Sequence, residues 1–434
     1  MIDRHFTATT APETLAVFRI AVFTTLIAFV LTSGIPWLSG VPEELRVLPV
    51  GSSWFLTALP PTEAGLWWLQ ALFLVACTAA LIGWQTRIAC WVAVVVGLYV
   101  LAIPVMFGKI NHNHHLWWFA LLLATSPCGD ALSVDAWRRG TVYGPSTAYT
   151  WPIRCAWILI GLVYLVPGLA KAFVGPAWIT PRNMALHLYT MWLDQSLVTG
   201  APSVPWLRFD ESPRLLLLSA IGTIAFEVSF LPLMFTRWRS LAVMGGLAFH
   251  QMTRILMGIS FWTLWVCYVV FVDWVFLRQR APNTMRKAPT FASVVCGLAL
   301  IAAAAMAAWH DVDGWPIGVY PRFNYLPAEQ ARHLELVFRR DDGTTYHSPA
   351  TPELAQRFPP SVWFHLTDRV VHTTDPARQR ELSAGLWELY RRVDPTVAEM
   401  STLELWAVRK WRDPRRWSEN PIDRSLVFTV PRDE

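Results

Sequence analysis

Apolar stretches close to bilayer-spanning length fill most of this chain and constrain its fold more than anything else in it. A spanning helix needs about 20 predominantly apolar residues. Such stretches fall near 14–33, 66–84, 88–107, 115–127, 156–174, 214–235, 239–256, 257–276 and 290–309. The fourth is short and ends at Ser126-Pro127-Cys128-Gly129, and the seventh and eighth run together near Gly258. The expected fold is an all-α polytopic membrane bundle of about nine transmembrane helices (about eight to ten) over residues 1–310. Residues 311–434 read as a small C-terminal α+β soluble domain.

Composition supports that division. Only 15% of the residues are charged, against about 25% in a soluble domain, and the deficit lies in residues 1–310. The 25 tryptophans suit rings placed at the membrane interfaces. Met1 to Pro12 is not expected to be a signal peptide. The apolar run after it is too long for an h-region and is followed by no small-residue cleavage site.

The formal net charge of +5 and pI near 9.0 do not indicate a nucleic-acid partner, because the basic residues sit in short loops between apolar runs. Alternate loops hold Arg4, then Arg87, then Arg138, Arg139 and Arg154, then Arg237 and Arg239, then Arg278, Arg280, Arg286 and Lys287. The intervening loops are longer and poorer in basic residues. Positive-inside asymmetry then puts the N-terminus in the cytoplasm and the C-terminal domain outside. The preference for Arg over Lys fits a GC-rich bacterial genome, hence a bacterial cytoplasmic membrane. Cys77, Cys90, Cys128, Cys155, Cys267 and Cys296 form no CxxC pair and read as packing residues. In the tail, His333 to Arg339 alternates as a strand, Asp341-Asp342-Gly343 signals a turn, and Thr344 to His347 can pair back. Ala377 to Val393 has helical periodicity, and Thr402 to Trp411 reads as another strand.

Ionisable side chains inside a bilayer cost roughly 2.5–3.5 kcal/mol on insertion scales, so each needs a reason. The candidates are Arg19, the cluster Asn111-His112-Asn113-His114-His115, Lys171, Glu227, His250 and Arg254. Lys171 is one of four lysines among 36 basic residues. Where charge alone was needed, arginine was used. A retained lysine points to an amine that can lose its proton, which arginine effectively cannot, and burial makes such an amine a general base. Snorkelling to the interface is the other reading. Glu227, in mid-span, calls for a cationic partner such as Arg254 or Arg19. His250 shares a helix face with Arg254 at i+4. A metal-dependent oxidase using His112, His114, His115 and His250 is a further reading, without the second histidine box or HExxH that would support it.

Taken in order, several of these segments resemble the vitamin K-dependent gamma-carboxylases and the wider family of HTTM (horizontally transferred transmembrane) domain proteins. Leu15-Ala16-Val17-Phe18-Arg19 is close to the family's opening pattern. Asn113-His114-His115 leads into an apolar helix ending in Ser133-Val134-Asp135, as the family's Asn-His helix ends in Ser-Val-Asp-Gly. Tyr164, then Gly168-Leu169-Ala170-Lys171, then Trp178 looks like its Tyr…Gly-Val-Lys-Lys…Trp segment, with the first lysine of the pair replaced by Ala170. Phe226-Glu227-Val228-Ser229 and Phe249-His250-Gln251-Met252 are similar to its Phe-Asp-Val-Ser and Phe-His-Cys-Met. In the tail, Leu403-Glu404-Leu405-Trp406-Ala407-Val408 resembles a family strand.

The resemblance implies a membrane enzyme in which Lys171 deprotonates a reduced quinone of the vitamin K or menaquinone type. Oxygen-driven epoxidation would be coupled to carboxylation of a glutamate, with O2 and CO2 as co-substrates and no metal. Asn113 would position the base and His114 would stabilise the later carbanion step. His115, Tyr164, Glu227, His250, Arg254 and Arg19 would line the quinone pocket. The implied partners are membrane lipid, the quinone, and a peptide or protein substrate presented on the extracytoplasmic side. The alternative is a non-catalytic HTTM membrane protein, an immunity, export or transport partner.

Overall fold

The computed structural model describes residues 6–107, 113–199, 201–320, 322–348, 366–367 and 369–431. The main helices are α1 (Pro12–Thr32), α2 (Glu63–Ile82), α3 (Thr86–Val100), α4 (His114–Ala124), α5 (Thr147–Val174), α6 (Pro181–Thr199), α7 (Pro213–Leu233), α8 (Arg239–Met257), α9 (Phe291–Trp309) and α10 (Pro376–Val393). Among the described residues, six helices are long and apolar enough to cross a membrane: α1, α2, α3 with its 3-10 extension to Phe107, α5, α7 and α9.

The expected count of about nine spans is not reached, for local reasons. The fourth apolar stretch yields only the 11 residues of α4. The seventh yields the 19-residue α8, whose apolar character is diluted by Arg239, His250, Gln251 and Arg254. The eighth is broken at Gly258, which ends α8 in the left-handed conformation (φ 66°) that glycine adopts without a Cβ penalty. Behind it come one turn of helix, Trp262–Trp265, and the 3-10 segments Val266–Phe271 and Val275–Leu277.

Hydrogen bonds gather the loops into two sets. At one end Thr10 pairs with Ser146, Tyr143 bridges to Thr284, and Arg278 donates to Glu13 at 2.9–3.0 Å. There Asp135 accepts from the amides of Gln85 and Thr86 (3.0 and 2.7 Å). This carboxylate therefore caps the N-terminus of α3, where helix amides lack internal partners. At the other end, Trp315 donates its amide to Val50 O, while Arg369 and Arg378 donate to Leu45 O and Glu44 O at 2.6 and 2.7 Å. The two sets coincide with the Arg-rich and Arg-poor loops of the sequence.

Arg19 belongs to the Arg-rich end. Its guanidinium is fully buried and donates to Cys128 O (2.7 Å) and Leu132 O (2.6 Å), with longer contacts to Ala131 O and Leu81 O. It ties α1 to the turn after α4, so its expected place in the quinone pocket is corrected. Five fixed donors in a planar fork suit this task.

The tail contains an antiparallel sheet of order β2-β1-β3-β4, with β1 Gln330–Arg339, β2 Thr345–Ser348, β3 Thr402–Trp411 and β4 Asp423–Pro431. Phe338 of β1 meets Trp387 and Tyr390 of α10. The first three strands and α10 lie where the sequence placed them. β4 was not expected. Its burial is slight, with Val430 the buried residue, so it carries little alternating apolar signal.

A labelling experiment tests the orientation expected from loop charge. Cys77, Cys90, Cys128, Cys155 and Cys267 are buried and Cys296 half-buried, which keeps background low. Cysteines at exposed Trp54 and Trp206 should react with an impermeant thiol reagent on intact cells, whereas Arg87 and Lys287 positions should react only after permeabilisation. The reverse pattern would invert the orientation.

Candidate functional site

The site arises where α5 and α7 approach more closely than ordinary side chains permit. A Cβ on Gly161 would lie 2.4 Å from Leu231 Cδ1, and one on Gly168 2.7 Å from Glu227 Cβ. The two glycines are seven residues apart, on one face of α5. Small residues at such crossings let membrane helices pack backbone to backbone. Lys171 follows Gly168 by three residues, hence on the same face, and is carried directly to Glu227. Its Nζ donates to both carboxylate oxygens, at 2.9 and 2.8 Å. The two residues are 3% and 5% exposed. Lys171 therefore does not snorkel, and the cation that matches Glu227 is Lys171, not Arg254 or Arg19. Arg254 lies on the exposed side of α8 and outside the residues lining the site, which corrects its expected place as well.

The pair faces an apolar chamber of about 130 Å³. Its aromatic wall includes Tyr164, Trp178, Phe249, Phe261, Tyr320 and Phe323, and His187 and His250 also line it. Lys171 Nζ stands 5.7 Å from the centroid of the Trp178 ring, a cation–π distance. The volume is close to the roughly 150 Å³ of an apolar cavity that holds benzene. Across Thr223, Phe249, Thr253, Met257 and Met184, which line both, a second, larger apolar space of about 330 Å³ lies between α7 and α8.

A hydrogen-bonded chain of hydroxyls and imidazole supports the floor. Tyr164 Oη meets His250 Nε2 at 2.5 Å and also bonds Tyr268 Oη. Gly246 of α8 makes room for this, since a Cβ there would lie 2.7 Å from Tyr268 Oη. Across the chamber, Tyr320 Oη bonds His115 Nδ1, and His115 Nε2 lies 3.0 Å from Thr263 O. Thr263 donates to Asn113 Oδ1 at 2.8 Å.

Thus His115 stands behind Tyr320, outside the residues that line the chamber, and Asn113 stands further back. His114 stacks on Trp315 at 5.2 Å and, with Asn113, lines a separate small cavity beside Phe29, Leu101 and Pro104. Asn111 and His112 lie outside the described residues. Among the described residues, no group of three His, Cys, Asp or Glu side chains is placed to hold a metal. His114, His115 and His250 address different partners.

His187 is the chamber histidine that sequence reasoning missed. It is 3% exposed on α6, against the Tyr325 ring at 4.9 Å. Burial, and then the neighbouring Lys171 charge, push its pKa down to about 4, so it is neutral at physiological pH. Trp192 Nε1 and Gln195 Nε2 of α6 donate to Leu256 O and Met257 O at 2.6 and 2.7 Å. Those bonds satisfy carbonyls at the end of α8 and hold α6 across the chamber.

A helical bundle of membrane-spanning length, with a buried lysine–carboxylate pair at the wall of an aromatic cavity, defines an integral membrane protein. The HTTM domain model matches residues 8–277. The chain belongs to the HTTM domain family. No curated protein and no solved structure matches it.

Removing one partner of a buried pair strands the other charge, at a cost of about 3–5 kcal/mol, whereas replacing both with apolar residues is often neutral. Glu227→Ala should therefore lower the unfolding midpoint in detergent markedly. Lys171→Met combined with Glu227→Met should recover most of the loss. Additive losses in the double variant would show that the two residues do not act as a unit.

Proposed function

We propose that this protein is a carboxylase-like membrane enzyme whose base is the Lys171–Glu227 pair and whose ligand is a lipid-soluble hydroquinone of the menaquinone or vitamin K type. The observation that carries the reading is the buried pair at the wall of a chamber that shares lining residues with an apolar groove between α7 and α8. One aromatic ring suits the chamber's lining, and the rest of a bicyclic head and its polyisoprenoid chain would extend into the adjoining space of about 330 Å³.

The pair is net neutral wherever its shared proton sits. Accepting one more proton from a ligand hydroxyl leaves an ammonium beside a neutral carboxyl, opposite a new aryl oxide. That cation offsets the oxide in a water-poor site, where opposite charges attract strongly. The free uncharged amine expected from the sequence is thus replaced by a pair that titrates as a unit. When bound, the reduced quinone would supply the oxygen-driven epoxidation that the family resemblance implies, coupled to glutamate carboxylation with CO2. Glu227 holds Nζ in place, while Trp178 and Phe249 help to exclude water. His115 supports Tyr320 in the opposite wall, and Asn113 acts through Thr263.

The doubly bonded geometry of the pair also favours one rival, a non-catalytic HTTM membrane protein in which Lys171 and Glu227 clamp α5 to α7. Turnover separates the two. Protein in nanodiscs, given reduced menaquinone or vitamin K, oxygen and labelled carbonate, should form quinone epoxide. Lys171→Ala should reduce the rate by about 100-fold or more, the scale of a lost general base. Lys171→Arg keeps the charge and cannot release a proton, so it should fold and fail alike. Epoxide formation equal in all three proteins, or absent with every quinone tried, would support the clamp.

A further inference from the structure

At the Arg-rich end, a polar cavity of about 650 Å³ shares no lining residue with the chamber. Its walls are the first turn of α3, the turn after α4, the short helix Val134–Arg139 and the segment 284–290 that leads into α9. Cavities of this size hold small ligands. The charged lining is uneven, with Arg87, Arg139, Arg286 and Lys287 against Asp130 and Asp135.

Both carboxylates are already engaged. Asp135 accepts from the amides at the start of α3 and from Thr86 Oγ1 at 2.6 Å. Asp130 is buried and serves two guanidinium groups at once. Arg139 Nη2 stands 3.2 Å from its Oδ1 and Arg286 Nε 3.1 Å from its Oδ2, which also accepts from Tyr149 Oη at 2.9 Å. Arg139 also donates to Gly129 O at 2.9 Å, and the Arg286 guanidinium lies 5.2 Å from the centroid of the Tyr143 ring. Two cations are thereby pinned together on one anion. A guanidinium has five N–H donors in a fixed fork, and these contacts use only some of them. Among the described residues, no carboxylate pairs with Arg87 or Lys287. Like charges gathered in this way repel one another until a further anion joins them, and the guanidinium fork matches a phosphate.

The surroundings say where that phosphate comes from. Arg87 and Thr290 line the cavity, and the residues that follow them, Ile88 and Phe291, are apolar and exposed. Trp84 and Trp137, in the same segments, are exposed too. Such tryptophans mark the headgroup level of a bilayer, and α3 and α9 are both spanning helices that begin here. The cations therefore sit at the depth of lipid phosphates, with apolar surface for acyl chains alongside.

We propose that this cavity binds the phosphate head of an anionic phospholipid. Basic pockets between spans suit such heads. The lipid would brace the turn after α4, whose carbonyls hold Arg19, and so stabilise the bundle. Nothing in this depends on the chemistry at Lys171.

The test uses the whole protein, delipidated in a neutral detergent, and three probes: dioleoylphosphatidylglycerol, dioleoylphosphatidylcholine and glycerol phosphate. Titrations are followed by the unfolding midpoint and, for the lipids, by native mass spectrometry. The phosphatidylglycerol should raise the midpoint and bind at least about tenfold more tightly than the phosphatidylcholine, whose chains are the same. Arg87→Gln combined with Lys287→Gln removes two unpaired charges, should leave the lipid-free midpoint unchanged, and should weaken phosphatidylglycerol binding about tenfold or more. Arg138→Gln combined with Arg280→Gln, exposed at the same end but outside the lining, should change it by about twofold or less, since exposed charges at a distance are screened. Equal affinity for the two lipids would overturn the proposal. Equal losses in the two double variants would replace the site with diffuse attraction to a basic face. Glycerol phosphate bound as tightly as phosphatidylglycerol would assign the cavity to a soluble phosphate and overturn the lipid.

Discussion

One lysine and one carboxylate, held together where water is scarce, set the terms for much of the rest of the structure. Burying either charge alone costs several kcal/mol, and attraction repays that only if the geometry is close to ideal. The geometry comes from the backbone. Gly161 and Gly168 let α5 lie against α7, and Lys171 and Glu227 meet because the two helices have no room to separate. Around the pair, α6 is fixed by its bonds to the end of α8, and the segment after α9 supplies Tyr320 and Phe323.

How much of this was legible in the sequence depended on the range of the forces involved. Spanning segments are written in consecutive residues, so the six long helices overlap the apolar stretches read along the chain, although α5 begins at Thr147, well ahead of the stretch read from 156. The strands β1 to β3 followed from alternation and a turn signal. The shortfalls came where tertiary context overrides local pattern. Residues 257–276 are apolar enough for a span, yet Gly258 and the 3-10 turns give short, broken pieces in place of one long helix, which hydropathy alone does not reveal.

The ionisable residues show the same limit. Lys171, Glu227 and His250 were singled out because charge and polarity are expensive among lipid-facing helices, and Tyr164 through the family resemblance; all four line one chamber. Their pairing was not legible, since it depends on which helices cross closely. The glycines that decide this look ordinary in one dimension. Arg19 and Arg254 were expensive for other reasons: one donates to three carbonyls of the turn after α4 and one at the end of α2, and the other lies on an exposed face. His187 escaped because α6 reads as a mixed, moderately polar helix in which one histidine stands out in no pattern.

Tyr320 and Phe323 lie beyond residue 277, where the match to the shared domain ends, yet they form part of the chamber wall, and Trp178 donates to Phe323 O at 3.0 Å. The common core on its own would be a vessel with one side missing. Proteins that inherit the same helices and attach a different continuation would finish that side with other chemistry. What such a core accepts would then be decided partly by sequence it does not contain.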